Sequence, residues 1–171
     1  VGNGRTRIRV NLDLPRDITV IAYLAAHEGY PGHHLDHITK ERTLVQEAAL
    51  GEATLRTMNT PESMLAEGLA DVAREVVMTD LELTAELRTI AGEAGIAAAR
   101  PELANAPAAM GAMRELMDAA NGNAAIMLHH DARPAGEVEE YLLDTTARRP
   151  DLVAQSMLVL TDPIGRTYPF T

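Results

Sequence analysis

The sequence has no cysteine, no tryptophan and a single phenylalanine. Without cysteine there is neither a disulfide framework nor a thiolate zinc finger. Aromatic residues make up only 3% of the 171 positions, so any core must be built from aliphatic and small side chains, which suits close helix–helix packing. Basic residues are also few, 15 against 25 acidic, for a net charge of −10. A chain of that sign lacks the basic face that phosphate-rich partners need, which argues against nucleic acid and anionic membrane as partners. No apolar run approaches the ~18 residues needed to span a bilayer.

Apolar residues amount to 46%, enough for one domain or a piece of a larger one. The chain opens Val1-Gly2-Asn3-Gly4, with neither Met nor the basic-then-apolar pattern of a leader. It stops at Thr171 in what reads as an ordered segment, so the expectation is a single fragment, 1–171, of a longer protein. A cytoplasmic location is expected.

Arg5 to Leu14 alternates, with Ile8, Val10, Leu12 and Leu14 on one face. That period of two predicts a short strand ended by Pro15. The remainder reads as helical. One stretch runs from Pro15-Arg16-Asp17 to about Gly29 and, after the Pro31-Gly32 break, a second runs from His33 to about Leu50. Thr60-Pro61-Glu62-Ser63 signals the start of a helix reaching about Ala91, with a bend. Further helices are expected over 108–130, 137–147 and 152–160. The predicted class is mainly α, with one short N-terminal strand.

Four of the six histidines fall in His27-Glu28-Gly29-Tyr30-Pro31-Gly32-His33-His34-Leu35-Asp36-His37. A lone imidazole on a helix is ordinarily a hydrogen-bonded bystander, but four beside an acid point to metal. Imidazole is the commonest zinc ligand, and His-Glu is how single-zinc hydrolases place a ligand beside a general base. The usual H-E-x-x-H spacing is absent, because Pro31 holds the i+4 position. On an unbroken helix His27 and His34 would start ~10.5 Å apart along the axis, too far for one ion. Pro31-Gly32 is therefore expected to kink or bulge the helix and return His33 or His34 toward His27. A third ligand is available in Glu67, among Leu65, Ala66, Gly68, Leu69 and Ala70. Gly68 hints at a close neighbour there, and Asp71, one turn on, could accept a hydrogen bond from a ligating imidazole.

HEGYPGHH (27–34) followed by EGLAD (67–71) resembles the domain-of-unknown-function 885 family. Its members are similar to the helical metallocarboxypeptidases of the thermostable-carboxypeptidase type, within the gluzincin zinc peptidases. The likeness extends over RIRVNLDLP, NAAIMLHHD and TDPIGRTYPF, and covers the metal-bearing, C-terminal catalytic part of a longer family member. It implies a multi-helix metallopeptidase-like fold, Zn²⁺ as cofactor, a peptide substrate, His27, His33 or His34, and Glu67 as ligands, and Glu28 as general base. Arg166, Tyr168 and His129 (or His130) are candidate donors to a developing oxyanion. The competing reading is a non-catalytic helical module in which His27, His33, His37 and Glu67 close a structural site, or no metal binds.

Overall fold

Proline, glycine and hydroxyl caps divide the chain into helices much where the pattern places them. The computed structural model describes residues 3–11, 13, 17–97 and 100–163. Its elements are α1 (Thr19–Leu24), a π-helical turn (Ala25–Gly29), α2 (His33–Lys40), a second π-helical segment (Glu41–Glu47), α3 (Pro61–Asp71), α4 (Ala73–Val77), α5 (Asp80–Glu93), α6 (Ala106–His129), α7 (Ala135–Thr146) and α8 (Pro150–Thr161), with short 3₁₀ turns at Gly51–Thr54 and Pro101–Ala104. The mainly α class is borne out. No helix among the described residues is long and apolar enough to cross a membrane.

The strand expected over Arg5–Leu14 is corrected. Arg5 holds an isolated bridge position, Thr6 to Asn11 belong to no regular element, and Ile8 and Val10 are half exposed. Alternation creates a strand only where neighbouring strands take up the backbone bonds and a core covers one face. No such neighbour lies among the described residues. Leu12, Leu14, Pro15 and Arg16, which complete that pattern and its helix start, lie outside the described residues.

Two compact units divide the chain, Val1–Pro107 and Ala108–Thr171. In the second, Ala120, Ala124 and Ala125 of α6 pack with Val138 and Leu142 of α7 and Val153 and Leu160 of α8. In the first, the buried apolar side chains are mostly alanine: Ala26, Ala66, Ala70, Ala73 and Ala91, with Leu83 and Leu87. Small side chains let α3 and α4 approach the Ala25–Gly29 turn, and α2 approaches α3. Lys40 Nζ, 3.0 Å from both Asp36 Oδ1 and Glu62 Oε1, ties α2 to the first turn of α3.

Thr60 caps α3 through its hydroxyl, which accepts from Ser63 N at 3.2 Å, and Pro61 follows in the first turn. The helix does not continue to Ala91. It breaks at Val72 and again at Met78, where the backbone is extended. Thr79 then starts α5 with a reciprocal capping box to Glu82. The Thr79 N–H and hydroxyl donate to Glu82 Oε2 at 2.8 and 2.7 Å, and these bonds hold the Glu82 carboxyl below its ordinary value. Because the folded pKa is the lower one, this contribution is full above the ordinary glutamate range and fades as pH falls through the lowered value.

Thr79→Ala should cost about 1 kcal/mol at neutral pH, the usual loss for a hydroxyl cap. Urea unfolding should show the gap to wild type narrowing near pH 2; an equal gap at both pH values would contradict the role given to Glu82.

Candidate metal centre

The first unit carries the histidine cluster, and the helix break expected between Gly29 and His34 is present. From Ala25 the helix widens into a π turn, and at Tyr30 the backbone becomes extended. Gly32 N–H then donates to the Ala26 carbonyl at 2.9 Å, folding the chain back on its own helix end. A Cβ on Gly32 would collide with the His27 carbonyl oxygen. Glycine is required by this close approach of two backbone segments. α2 begins at once with His33.

The fold-back brings the His27 and His33 rings edge to face, centroids 4.7 Å apart. Glu67 of α3 completes the group. Its Oε2 lies 3.5 Å from His27 Nε2 and 3.3 Å from His33 Nε2, and one donor atom from each of the three residues falls within 4.8 Å of the other two. The side chains of His27 and His33 are mostly covered, at 12% and 15% exposure.

These distances discriminate between two arrangements. A protonated imidazole bonded to a carboxylate closes to ~2.7–2.9 Å. Atoms that share one tetrahedral zinc at ~2.0–2.2 Å stand ~3.3–3.6 Å from each other. Both contacts to Glu67 fall in the second range. Two imidazole nitrogens and one carboxylate oxygen are also a donor set that zinc accepts. The residues fit a metal ion.

The other ring nitrogen of His27 is held as well. Nδ1 lies 3.2 Å from Asp71 Oδ1 and 3.1 Å from the Tyr23 hydroxyl, and that hydroxyl donates to Asp71 Oδ1 at 2.6 Å. Asp71 thus stands where the i, i+4 spacing from Glu67 put it. His33 is held differently. Its Nδ1 is buried without a hydrogen-bond partner among the described residues, and its ring lies between His27 and the stacked ring of His37, 5.8 Å away. Burial, and then the nearby Arg56 guanidinium, push the His37 pKa down.

Of the adjacent pair, His33 joins the cluster, while His34 turns its Nδ1 to the Thr6 hydroxyl at 2.7 Å. His37 is outside the converging group. Glu28 sits half-buried on the π turn beside His27, with no hydrogen bond or ion pair to the described residues. His129 belongs to the second unit, where Nε2 bonds the Leu160 carbonyl at 2.8 Å, and His130 pairs with Asp131 at 2.7 Å. Arg166 and Tyr168 lie outside the described residues. The close neighbour expected at Gly68 is absent among the described residues: none lies within 4 Å of where its Cβ would stand, and that side of α3 is exposed. Sequence reasoning also missed Tyr23, although its i−4 spacing from His27 places both on one helix face. A cavity of about 530 Å³ is lined by Leu35, Ile38, Thr39 and Arg42, among others, and touches none of the three donors.

Comparison with family models, with curated proteins and with solved structures returns no match.

The two glycines should respond oppositely to alanine. Gly32→Ala should destabilise by ~1–3 kcal/mol, as overpacking does, and weaken zinc uptake, because the His27 carbonyl must move. Gly68→Ala, in open space within a helix, should stabilise by ~0.5–1 kcal/mol. Denaturant unfolding with zinc titration checks both, and a Gly32→Ala protein that matches wild type would refute the close-approach argument.

Proposed function

We propose that this chain is the catalytic part of a zinc metallopeptidase, carboxypeptidase-like, with His27, His33 and Glu67 as the protein ligands. The observation that carries the reading is the pair of 3.3 and 3.5 Å separations about Glu67 Oε2, the spacing of atoms around a shared ion. The likeness of HEGYPGHH and EGLAD to the domain-of-unknown-function 885 family, and through it to gluzincin peptidases, supplies the reaction class.

Three protein donors favour catalysis over a structural staple, since structural zinc sites are closed by four. His37 would be the natural fourth, and its ring stacks on His33 without joining the group. A bound zinc ion supplies a water of lowered pKa and a Lewis acid for a peptide carbonyl. Glu28, next in sequence to a ligand, takes the proton of the attacking water and returns it to the leaving amine. Its carboxylate is free for that work, being bonded to no described residue. Asp71 keeps the His27 ring oriented from behind. Of the candidate oxyanion donors, His129 commits Nε2 to the Leu160 carbonyl. An extended peptide is the expected substrate.

Metal analysis of the purified protein should find one zinc per chain. Glu28→Gln should keep that zinc, since the ligands are untouched, and lose hydrolysis by ~10²–10⁴-fold, the usual share of general base catalysis. His27→Ala should lose metal and activity together. Near-full peptidase activity in zinc-loaded Glu28→Gln would remove the general-base role and move the structural-zinc reading ahead.

A further inference from the structure

We infer that Tyr23 is a positioning residue of this centre, fixing which nitrogen of His27 carries the proton and so leaving Nε2 free for the metal. The inference rests on the metal reading above.

The Tyr23 hydroxyl has one hydrogen, and Asp71, as a carboxylate, only accepts. The 2.6 Å contact between them must therefore use the tyrosine's hydrogen. What the hydroxyl then presents to His27 Nδ1, at 3.1 Å, is a lone pair. Asp71 Oδ1 presents another, at 3.2 Å. Nδ1 faces two acceptors, so it must be the protonated nitrogen. A neutral imidazole has one N–H, and Nε2 is left with its lone pair toward Glu67 and His33. That is the tautomer a metal ligand needs.

Tyr23 also holds the second acceptor in place. Its ring lies against His27 with centroids 5.3 Å apart, and its short bond is one of the contacts that orient the Asp71 carboxylate. Without the hydroxyl, Asp71 keeps its charge but loses that anchor. Tyr23 thus acts on the metal through Asp71 and His27, and two elements of the fold, α1 and α3, are joined at the ligand's back.

Tyr23→Phe removes the hydroxyl and keeps the ring. Zinc affinity, measured by competition with a chelator, should fall ~10–100-fold, the usual effect of losing an outer partner of a ligating histidine. Melting of the metal-free protein should change little, and the visible spectrum of the cobalt-loaded protein should shift. Because Tyr23 works through Asp71, Tyr23→Phe/Asp71→Asn should bind zinc no more weakly than Asp71→Asn alone. Long-range ¹H–¹⁵N spectra of the metal-free wild type should show His27 protonated at Nδ1, a readout independent of any variant's folding. Equal affinity and superimposable cobalt spectra in Tyr23→Phe, multiplying losses in the double variant, or an Nε2–H tautomer would each overturn the inference. Wild-type protein that takes up no zinc would instead overturn the metal reading, and Tyr23's role would fall with it.

Discussion

The centre depends on one close approach, that of the Gly32 backbone to the carbonyls of Ala26 and His27. A regular helix through residues 27–34 would carry its histidines apart along the axis at 1.5 Å per residue. The π turn widens the helix end, and the fold-back sealed by Gly32 N–H to the Ala26 carbonyl then sets His33 beside His27. The three devices are sequential in the chain but interdependent in space. The turn ends at Gly29, Pro31 has no N–H with which to continue a helix, and only glycine fits where the return strand of chain grazes His27. Insertions of this kind in helices occur disproportionately at functional sites. Here the consequence is geometric, since two rings six residues apart on a regular helix would not converge.

The third donor arrives by a different route. α3 is placed by its cap at Thr60, by the Lys40–Glu62 pair and by the small faces of Ala66 and Ala70, both buried. Alanine at these positions allows the helix to approach the π turn closely enough for a glutamate of ordinary length to reach the imidazoles. The opposite face is left exposed at Leu65 and Leu69, so α3 is held from one side. Packing, rather than propensity, sets where Glu67 stands.

Much of this was legible in the residues. Pro31-Gly32 announced a break, and the i, i+4 spacing of Glu67 and Asp71 announced a shared face. Both rules are local, and local rules survive tertiary context. The capping box at Thr79-Asp80-Leu81-Glu82 was equally local, and the long helix predicted over it overlooked a stop signal that was there. Other features were not legible. The alternation in Arg5–Leu14 describes a face without saying whether anything covers it. Gly68 was read as a sign of packing, but glycine can also stand on an exposed surface at a small loss of helix propensity. The choice between His33 and His34 turns on which way adjacent side chains point at the first turn of α2, and no spacing rule distinguishes neighbours. The π segment Glu41–Glu47 contains neither proline nor glycine and gives no local warning.

The electrostatics of α3 close the argument. Glu67 and Asp71 put two carboxylates one turn apart on the same face, an arrangement that costs an isolated helix ~0.2–0.5 kcal/mol. His27 lies between them, one ring nitrogen toward each, at 3.5 and 3.2 Å. A neutral imidazole can donate to one carboxylate only. With its hydrogen toward Asp71, its remaining lone pair faces Glu67 Oε2, and His33 Nε2 stands 3.3 Å from the same oxygen. Such a cluster favours a positive charge at its centre. A dication at the centre would answer all three donors, whose atoms lie within 4.8 Å of one another. The surrounding chain, at −10, also favours the approach of a cation. The like-charge pair on α3 thus flanks one imidazole, and its Glu67 member belongs to a group of three side chains that could hold a metal ion.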